Sequence, residues 1–479
     1  MIRIALLAAT ALVALAPAAA RSTLDDHVAA ALASAGPGTR FGLLVTTMEG
    51  KEVVAVNPDD RFVPASNTKL FTTAAVFASG IDLAAPDTAG ATVRIDGGDV
   101  VLTGHGDARM SAAADCTDDC LATLADAVAA KTRRVRDVIG DDTLFPDERW
   151  SPGMSWNNIP TTSGTGISAL TLDDNELAVS VLPGNAAGAT ATIADGYYRI
   201  DNHVVTSAAE VPARIGYARL PNSRVLRIEG TVPVGAPARM VTVGIDDPAD
   251  YAAWTLRRML VARGVKVSGA VRVRHRALSP ADDPEQRGTA PATPPPTESA
   301  PLARLSPKPL IEDLIHTNKV SQNVHAELFL RRVSRLSGSG SIADGQARVT
   351  SLMTTAGVPR WAWDFADGSG MSSYNRVSPR ATVGLLRYSV TQPWGEAWRS
   401  TFPVAGVDGT LKRRFVGTPL QGRLFAKTGS LDKANGLGGF LTTAKGKTLV
   451  FAAYAADMPQ SGSATKALDA ALQVVAAEN

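Results

Sequence analysis

Apolar residues follow two kinds of spacing at the two ends of the chain. A recurrence every three to four residues is typical of an amphipathic helix, and short apolar runs between turn residues are typical of strands. Helical spacing covers residues 24–36, 61–79, 308–336 and 464–478, and strand-like spacing covers residues 41–49, 52–57, 436–444 and 447–457. Both ends therefore predict helices combined with a hairpin-built sheet.

The middle of the chain has a different texture from about residue 89 to residue 275. Short β-rich runs such as ATVRIDG, ELAVSVLPG and RVLRIEGTVPV recur there between Gly, Pro, Asn and Asp, a pattern that predicts antiparallel sheets. Helical spacing also appears at 119–133 and 249–264. We expect a signal peptide (1–20), an outer domain in two pieces (21–88 and 302–479), a mostly-β inserted domain (89–171 and 248–276), a nested small β domain (172–247) and a proline-rich linker (277–301).

The composition excludes several classes of protein. The chain has 479 residues, of which 45% are hydrophobic and 20% charged, so it can bury large cores. Its formal net charge of +2 lacks the basic surplus that a protein specialised for nucleic acid needs. Two cysteines exclude a Cys-rich metal site, and six histidines without an HExxH motif argue against a catalytic metal.

The first twenty residues have the pattern of an export signal. Arg3 is followed by an apolar run at 4–15, which is short for a membrane span, and Ala18, Ala19 and Ala20 offer a small-residue cleavage site. An uncleaved anchor or a buried helix is the alternative. We expect a secreted, periplasmic protein with no transmembrane segment after cleavage. Export permits a disulfide, so Cys116 and Cys120, four positions apart, either pair or remain thiols.

Ser66 and Lys69 form the first candidate catalytic pair. Pro64 precedes a segment whose spacing predicts a helix that begins near Ala65 or Ser66. Positions i and i+3 share a helix face, so a Lys69 amine made neutral by burial could take the proton of the Ser66 hydroxyl. The alternative is a helix-capping serine. The same Ser-x-x-Lys spacing recurs at 463–466, in the last predicted helix.

Lys427, Thr428, Gly429 and Ser430 form the second candidate, in the run LFAKTGSLDK. A strand edge there could offer a cation, a hydroxyl and a backbone N–H, with no side chain at the glycine to hold a substrate off the backbone. Strict alternation points Lys427 and Thr428 to opposite faces, so we expect a local twist or bulge. A surface turn is the alternative.

The third candidate is a Ser-x-Asn pattern, which occurs three times. Ser321 and Asn323 lie between the first two candidates in the chain, at the head of an amphipathic stretch. The copies that end at Asn157 and Asn375 are interpreted as loop residues.

The order SxxK, SxN, KTG resembles the active-site set of penicillin-binding proteins and serine β-lactamases. The long gap between Lys69 and Ser321 narrows the resemblance to the penicillin-binding protein 4-like D-alanyl-D-alanine carboxypeptidase/endopeptidase family (low-molecular-mass class C). The stretches PASNTKLFTTAA, SGTGISALTLDDNEL, NKVSQNVHAELFLR, DGSGMSSYNRVSP and GTLKRRF agree with it. The resemblance implies the penicillin-binding-protein transpeptidase-like fold: an antiparallel sheet flanked by helices, an all-helical lobe and large inserted domains.

The resemblance also implies a role for each matching residue. Ser66 would be the acylated nucleophile and Lys69 its base, while Ser321 and Lys427 would pass a proton to the departing amine. Asn323 would hold the substrate amide. Thr428, Gly429 and Ser430 would border the terminal carboxylate, and the N–H groups of residues 66 and 430 would form the oxyanion hole.

The implied function is hydrolysis of D-Ala-D-Ala, and of D-Ala–diamino acid cross-links, in peptidoglycan stem peptides, with β-lactams as covalent inhibitors. No metal or organic cofactor is implied, and the oligomeric state is open. A β-lactamase or esterase on the same fold and a non-catalytic wall-binding scaffold are the alternatives.

Two further groups have open interpretations. His325, two residues past Asn323, either lines the cleft or is a polar helix residue. Asp173, Asp174 and Glu176 form an acidic cluster that could hold a cation or belong to a solvated turn.

Overall fold

The computed structural model describes residues 23–460, 462 and 464–479, so the predicted signal peptide lies outside the described residues. The helices are α1 (Leu24–Ala33), α2 (Thr68–Phe77), α3 (Leu121–Lys131), α4 (Pro248–Ala262), α5 (Pro284–Arg287), α6 (Leu310–Val320), α7 (Asn323–Ser334), α8 (Ile342–Thr355), α9 (Pro379–Val390), α10 (Gly395–Ser400) and α11 (Thr465–Glu478). The strands are β1 (Arg40–Thr47), β2 (Glu52–Val56), β3 (Thr92–Asp96), β4 (Asp99–Thr103), β5 (Arg134–Val135), β6 (Val138–Pro146), β7 (Glu176–Leu182), β8 (Thr192–Ile193), β9 (Arg199–Ser207), β10 (Arg214–Ala218), β11 (Val225–Pro233), β12 (Arg239–Gly244), β13 (Lys266–Val267), β14 (Val271–Arg276), β15 (Ala303–Arg304), β16 (Trp363–Asp364), β17 (Arg376–Val377), β18 (Leu424–Leu431), β19 (Ala434–Thr442) and β20 (Thr448–Ala456).

A five-stranded antiparallel sheet joins the two ends of the chain. Its order is β18-β19-β20-β1-β2, so β1 pairs with β20 across more than 400 positions of sequence. On one face, α1 and α11 bury apolar residues such as Val28, Leu32, Leu468 and Leu472 in a shared core. The predicted helix-flanked antiparallel sheet is confirmed.

The other face of this sheet carries a lobe of helices centred on α2. All ten residues of α2 are buried, as expected for a helix that is apolar on every side. Phe71 of α2 packs in one core with Phe329 of α7, Met353 of α8 and Trp398 of α10. Burial on all sides fixes the N-terminus of α2, where Ser66 lies.

The helical pattern at 308–336 is two helices rather than one. Helix α6 ends at Val320, and Ser321 adopts a left-handed conformation with φ of +69°. The side chain of Gln322 then accepts a hydrogen bond from the Val324 N–H at 3.0 Å and caps α7. The break turns the chain at the Ser-x-Asn motif, so Ser321 lies between the two helices and Asn323 is the first residue of α7.

The inserted region contains parallel as well as antiparallel pairs, so the expectation of antiparallel sheets was wrong in part. Its largest sheet has the order β14-β6-β4-β3-β15, and β4–β6 and β6–β14 are parallel. Helices α3 and α4 supply the crossovers that parallel neighbours need. Two three-stranded sheets, β10-β11-β9 and β12-β7-β8, complete the region, and β9–β11 is also parallel.

Two side-chain links tie the remaining loops down. Cys116 and Cys120 form a disulfide, with Cα atoms 5.8 Å apart. In the proline-rich segment, Arg287 donates to the Asp344 carboxylate at 3.0 Å, which docks α5 beside α8. The predicted domain limits stay a prediction, because strand pairing does not define where a domain ends. Among the described residues, no helix is long and apolar enough to cross a bilayer.

Candidate active site

Ser66 lies on a short 3-10 turn that leads into α2. The turn spans Ala65–Asn67, and Ala65 has a φ of +48°. One turn further on, the Lys69 ammonium nitrogen lies 3.0 Å from the Ser66 hydroxyl oxygen. Lys69 is completely buried, whereas Ser66 is only partly buried. Ser66 is thus accessible from the surface, whereas the Lys69 amine beside it is shielded from solvent.

The surroundings of Lys69 fix both its position and its protonation. Its Nζ donates to the Asn323 Oδ1 at 2.6 Å and to the Ser369 carbonyl at 2.7 Å. Burial lowers the pKa of Lys69 to about 7, and the carboxylates of Asp367 and Glu327 oppose that effect. When Lys69 is neutral, its two N–H groups can still donate to Asn323 and Ser369, and its nitrogen lone pair is free to accept the Ser66 O–H.

Ser321 and Lys427 form a second hydroxyl–amine pair. The Lys427 Nζ donates to the Ser321 Oγ at 2.8 Å and to the Thr428 carbonyl at 3.0 Å. Lys427 is fully buried, and that burial, reinforced by the Lys69 cation, lowers its pKa well below the usual range. The two amines therefore interact, because the charge on Lys69 disfavours a second charge on Lys427.

Strand β18 is pressed against the Ser66 turn. The Asn67 side chain donates to the Lys427 carbonyl at 3.0 Å. A Cβ at Gly429 would lie 2.3 Å from the Pro64 carbonyl oxygen, so the approach requires glycine at this point. The contact places the Lys427–Ser430 segment alongside the nucleophilic serine.

Of the twist or bulge expected in β18, the bulge is contradicted by the strand pairing, and the twist stays a prediction. Residues 424–431 pair with residues 441–434 of β19 in continuous register. Lys427 is buried against Ser321, while the Thr428 hydroxyl hydrogen-bonds the Thr410 hydroxyl at 2.7 Å and Ser430 is exposed. Since β18 is an edge strand, Thr428 and Ser430 can border a cleft without a bulge.

Asn323 connects the site to the inserted region. Its Oδ1 accepts from Lys69, and its Nδ2 donates to the Ser163 carbonyl at 3.0 Å. Asn375, from another Ser-x-Asn copy, is buried and holds the Asp367 carboxylate at 2.7 Å. Asn157 lies exposed on a short 3-10 turn (Trp156–Asn158), and the second Ser-x-x-Lys begins at a residue outside the described part of the chain.

A loop at 367–370 completes the site, and the sequence analysis assigned it no role. Glu327 accepts from the N–H groups of Gly368 and Ser369 at 2.9 and 2.8 Å, which aims the Ser369 carbonyl at Lys69. Gly370 has a φ of +93°, and a Cβ there would lie 1.9 Å from the Ala65 carbonyl. The quoted DGSG stretch was the signal for this loop.

An open cleft of about 630 Å³ is lined by segments that neighbour the motifs in the chain. Its lining includes Val63 before the Ser66 turn, Met371 after the glycine loop, Leu431 at the end of β18, and Asn157 and Asn158 from the inserted region.

A hydroxyl paired with a buried amine, repeated by a second such pair, defines a serine acyl-transfer enzyme of the penicillin-binding type. The sequence profile of the D-Ala-D-Ala carboxypeptidase 3 (S13) family matches residues 24–479. The chain belongs to this family.

Individual relatives agree with this assignment. A D-alanyl-D-alanine carboxypeptidase from an Actinomadura species is 30% identical over 459 residues, which cover 91% of this chain and 80% of that protein. The crystal structure of penicillin-binding protein 4 from Haemophilus influenzae has a TM-score of 0.76 at 21% identity and covers 93% of this chain and 97% of that one. Its complex with a β-lactam gives 0.71 at 20% identity, over 93% and 98% of the two chains. These two structures share the fold.

Proposed function

We propose that this protein is a serine D-Ala-D-Ala carboxypeptidase that acts on peptidoglycan stem peptides through an acyl-enzyme on Ser66. The observation that carries the proposal is the hydrogen bond in which the buried Lys69 amine, whose pKa is about 7, donates to the Ser66 hydroxyl oxygen at 3.0 Å. An amine with that pKa is in part neutral near pH 7 and can accept the serine proton.

Acylation begins with attack of the Ser66 Oγ on the carbonyl carbon between the two D-alanines. The Oγ–carbon bond forms while the hydroxyl proton passes to Lys69. The N–H groups of Ser66 and Ser430 stabilise the oxyanion, and losing one such donor typically costs about 100- to 1,000-fold in rate. Collapse breaks the peptide bond, and the proton that Lys69 took from Ser66 is relayed through Ser321 and Lys427 to the leaving amine, which leaves Lys69 neutral again. Water then attacks the ester carbonyl and gives a proton to Lys69, which returns it to the Ser66 oxygen as the ester bond breaks.

The substrate-binding residues follow from the same geometry. The Asn323 amide is within reach of the acyl-side peptide, and the Thr428 and Ser430 hydroxyls lie on the edge strand where the terminal carboxylate would bind. Gly429 lets that strand approach the Ser66 turn closely, which holds the two hydroxyls beside the nucleophile. We assign the rest of the stem peptide to the 630 Å³ cleft. Cleavage of D-Ala–diamino acid bonds is part of the proposal because the family resemblance implies it.

β-Lactams carry a strained amide that resembles the scissile bond, so the same serine is expected to form a stable ester with them. One relative is named a penicillin-sensitive carboxypeptidase, and another was crystallised with a β-lactam. Action on the cell wall requires export, and the N-terminal pattern of residues 1–20 supports a periplasmic location.

The test is release of D-alanine from a purified pentapeptide muropeptide. Wild-type protein is expected to release it and Ser66→Ala to lose the activity. Ser463→Ala removes the serine of the second Ser-x-x-Lys sequence and is the matched control, with activity unchanged. Equal release by wild type and Ser66→Ala would reject the nucleophile. Fast penicillin hydrolysis without muropeptide cleavage would indicate a β-lactamase, and binding to cell walls without either activity would indicate a scaffold.

A further inference from the structure

Asp174, His316 and His325 form a cluster of metal-ligating side chains outside the catalytic contacts. One ligand atom from each lies within 4.8 Å of the other two. The two imidazole rings are 5.2 Å apart between centroids. Asp174 comes from the inserted region, whereas His316 lies on α6 and His325 on α7.

The orientation of His325 is fixed from behind. Its Nδ1 hydrogen-bonds the carboxylate of Asp313, which is buried on α6, and its Nε2 faces the Asp174 Oδ1 at 2.8 Å. A carboxylate on the far nitrogen is the usual support of a metal-bound histidine, because it sets the ring's tautomer and orientation. His325 is thus a buried residue of α7 whose two ring nitrogens both face carboxylates.

The turn that carries Asp174 is equally constrained. Asp173, Asp174 and Asn175 all have positive φ values, of 50°, 54° and 55°. The Asp173 carboxylate accepts from the Ser111 hydroxyl at 2.7 Å, and the Asn175 side chain donates to the Gly166 carbonyl at 2.9 Å. Asp173 and Asn175 thus stabilise the turn, and the carboxylate of Asp174 between them is directed at His325.

We propose that Asp174, His316 and His325 bind a divalent transition-metal ion of the Zn²⁺ class, with water at the remaining coordination position. Two imidazoles and one carboxylate are a donor set that suits Zn²⁺, which binds nitrogen and oxygen at about 2.0–2.2 Å in tetrahedral sites. Mg²⁺ and Ca²⁺ prefer all-oxygen sites and are expected to bind far more weakly.

Coordination replaces the hydrogen bond between His325 and Asp174. The proton on Nε2 leaves to solvent, and Nε2 and a carboxylate oxygen both become ligands of the ion. His316 is exposed, so the ion can enter from the solvent side. The Asp313 hydrogen bond on Nδ1 is kept.

The position of this cluster gives the ion a structural role at the active site. His316 and His325 flank Ser321 and Asn323 in the chain, and the Gln322 side chain donates to the Asp174 Oδ2 at 3.0 Å. A bound ion would tie the Ser321–Asn323 turn to the inserted region. Only this consequence for the turn rests on the proposed function; metal binding itself does not.

The test is calorimetric titration of the metal-stripped full chain with Zn²⁺, without substrate. We expect one equivalent to bind, an increase in Tm on binding, and X-ray absorption with two imidazole ligands. His316→Gln changes an exposed residue and is expected to weaken binding at least about tenfold, the lower end of what losing even a supporting group costs. Asp174→Asn is expected to do the same. His203→Gln is the matched control, since His203 is an exposed histidine paired with Asp201 at 2.9 Å.

Four results would overturn the proposal, of which the first three are no Zn²⁺ binding, binding unchanged in both His316→Gln and Asp174→Asn, and equal binding of Mg²⁺. Failure of muropeptide cleavage would leave this experiment unaffected, so the two proposals fail separately. Loss of binding in His203→Gln would assign the ion to another site.

Discussion

Replacing Glu327 with glutamine should make the enzyme faster in acid. The Glu327 carboxylate raises the pKa of Lys69 against the effect of burial, which sets that pKa at about 7. Glutamine keeps an oxygen to accept the N–H groups of Gly368 and Ser369 but removes the charge. Because the Asp367 carboxylate, the larger of the two influences, remains in place, we expect the pKa of Lys69 to fall by about one unit, the low end of what a nearby opposite charge is typically worth.

The magnitude follows from the fraction of neutral Lys69. At pH 6 a group with a pKa of about 7 is about one-tenth neutral, and lowering the pKa by about one unit makes it about one-half neutral, so acylation should rise about fivefold. Above pH 8.5 both proteins hold neutral Lys69 and the pH dependence should be flat. Because Lys69 acts as a base, it must be neutral to accept the serine proton. The acylation rate is therefore lost as pH falls through the pKa of Lys69.

The assay is single-turnover acylation by a fluorescent penicillin from pH 5.5 to 9.5. The midpoint of each profile is compared, because glutamine also places an amide against Arg331, which accounts for a loss in amplitude. Glu148→Gln is the control, since Glu148 is a half-buried carboxylate that does not act on the pKa of Lys69. A wild-type midpoint near 10, or a variant midpoint shifted upward, would refute Lys69 as the base.

Two further substitutions test the packing around the site. Gly370→Ala should lower the free energy of unfolding by about 1–3 kcal/mol more than Gly357→Ala does, and it should slow acylation. Both glycines have positive φ, but only a Cβ at 370 meets a carbonyl, that of Ala65 at 1.9 Å. Equal Tm values for the two variants would contradict the close approach. Replacing Cys116 and Cys120, which lie four positions apart, by serine opens the loop that their disulfide closes. The loss of this constraint on the unfolded chain should lower the free energy of unfolding by about 2 kcal/mol and leave acylation unchanged. Thermal unfolding measures the first effect and the penicillin assay the second, and a loss of acylation would give the loop a role in the site.

The chemistry of the site was predictable from the sequence because it depends on spacing. Lys69 follows Ser66 by one helical turn, and that relation alone places amine beside hydroxyl. Three motifs in a fixed order then identified Ser321 and Lys427 from far along the chain. The antiparallel sheet was predictable for the same reason, since its strands at 436–444 and 447–457 are joined by a short turn.

What the sequence did not show depends on contacts between distant segments. The carboxylates of Glu327 and Asp367, which act on Lys69, have no spacing relation to it. The helix break at Ser321 needs a left-handed residue that helical apolar spacing does not reveal. Parallel pairing of β4 with β6 was missed because the crossover helix was read as a flanking element. The cluster at Asp174 forms only when the inserted region meets α6 and α7.

The most direct test of the account is the site of penicillin attachment. Trypsin should release residues 62–69 as one peptide, in which Ser66 is the single serine. After brief treatment with penicillin and denaturation in acid, we expect this peptide to gain the full mass of the antibiotic, with fragmentation placing it on Ser66. An adduct on the peptide that carries Ser321, with residues 62–69 unmodified, would contradict the central claim.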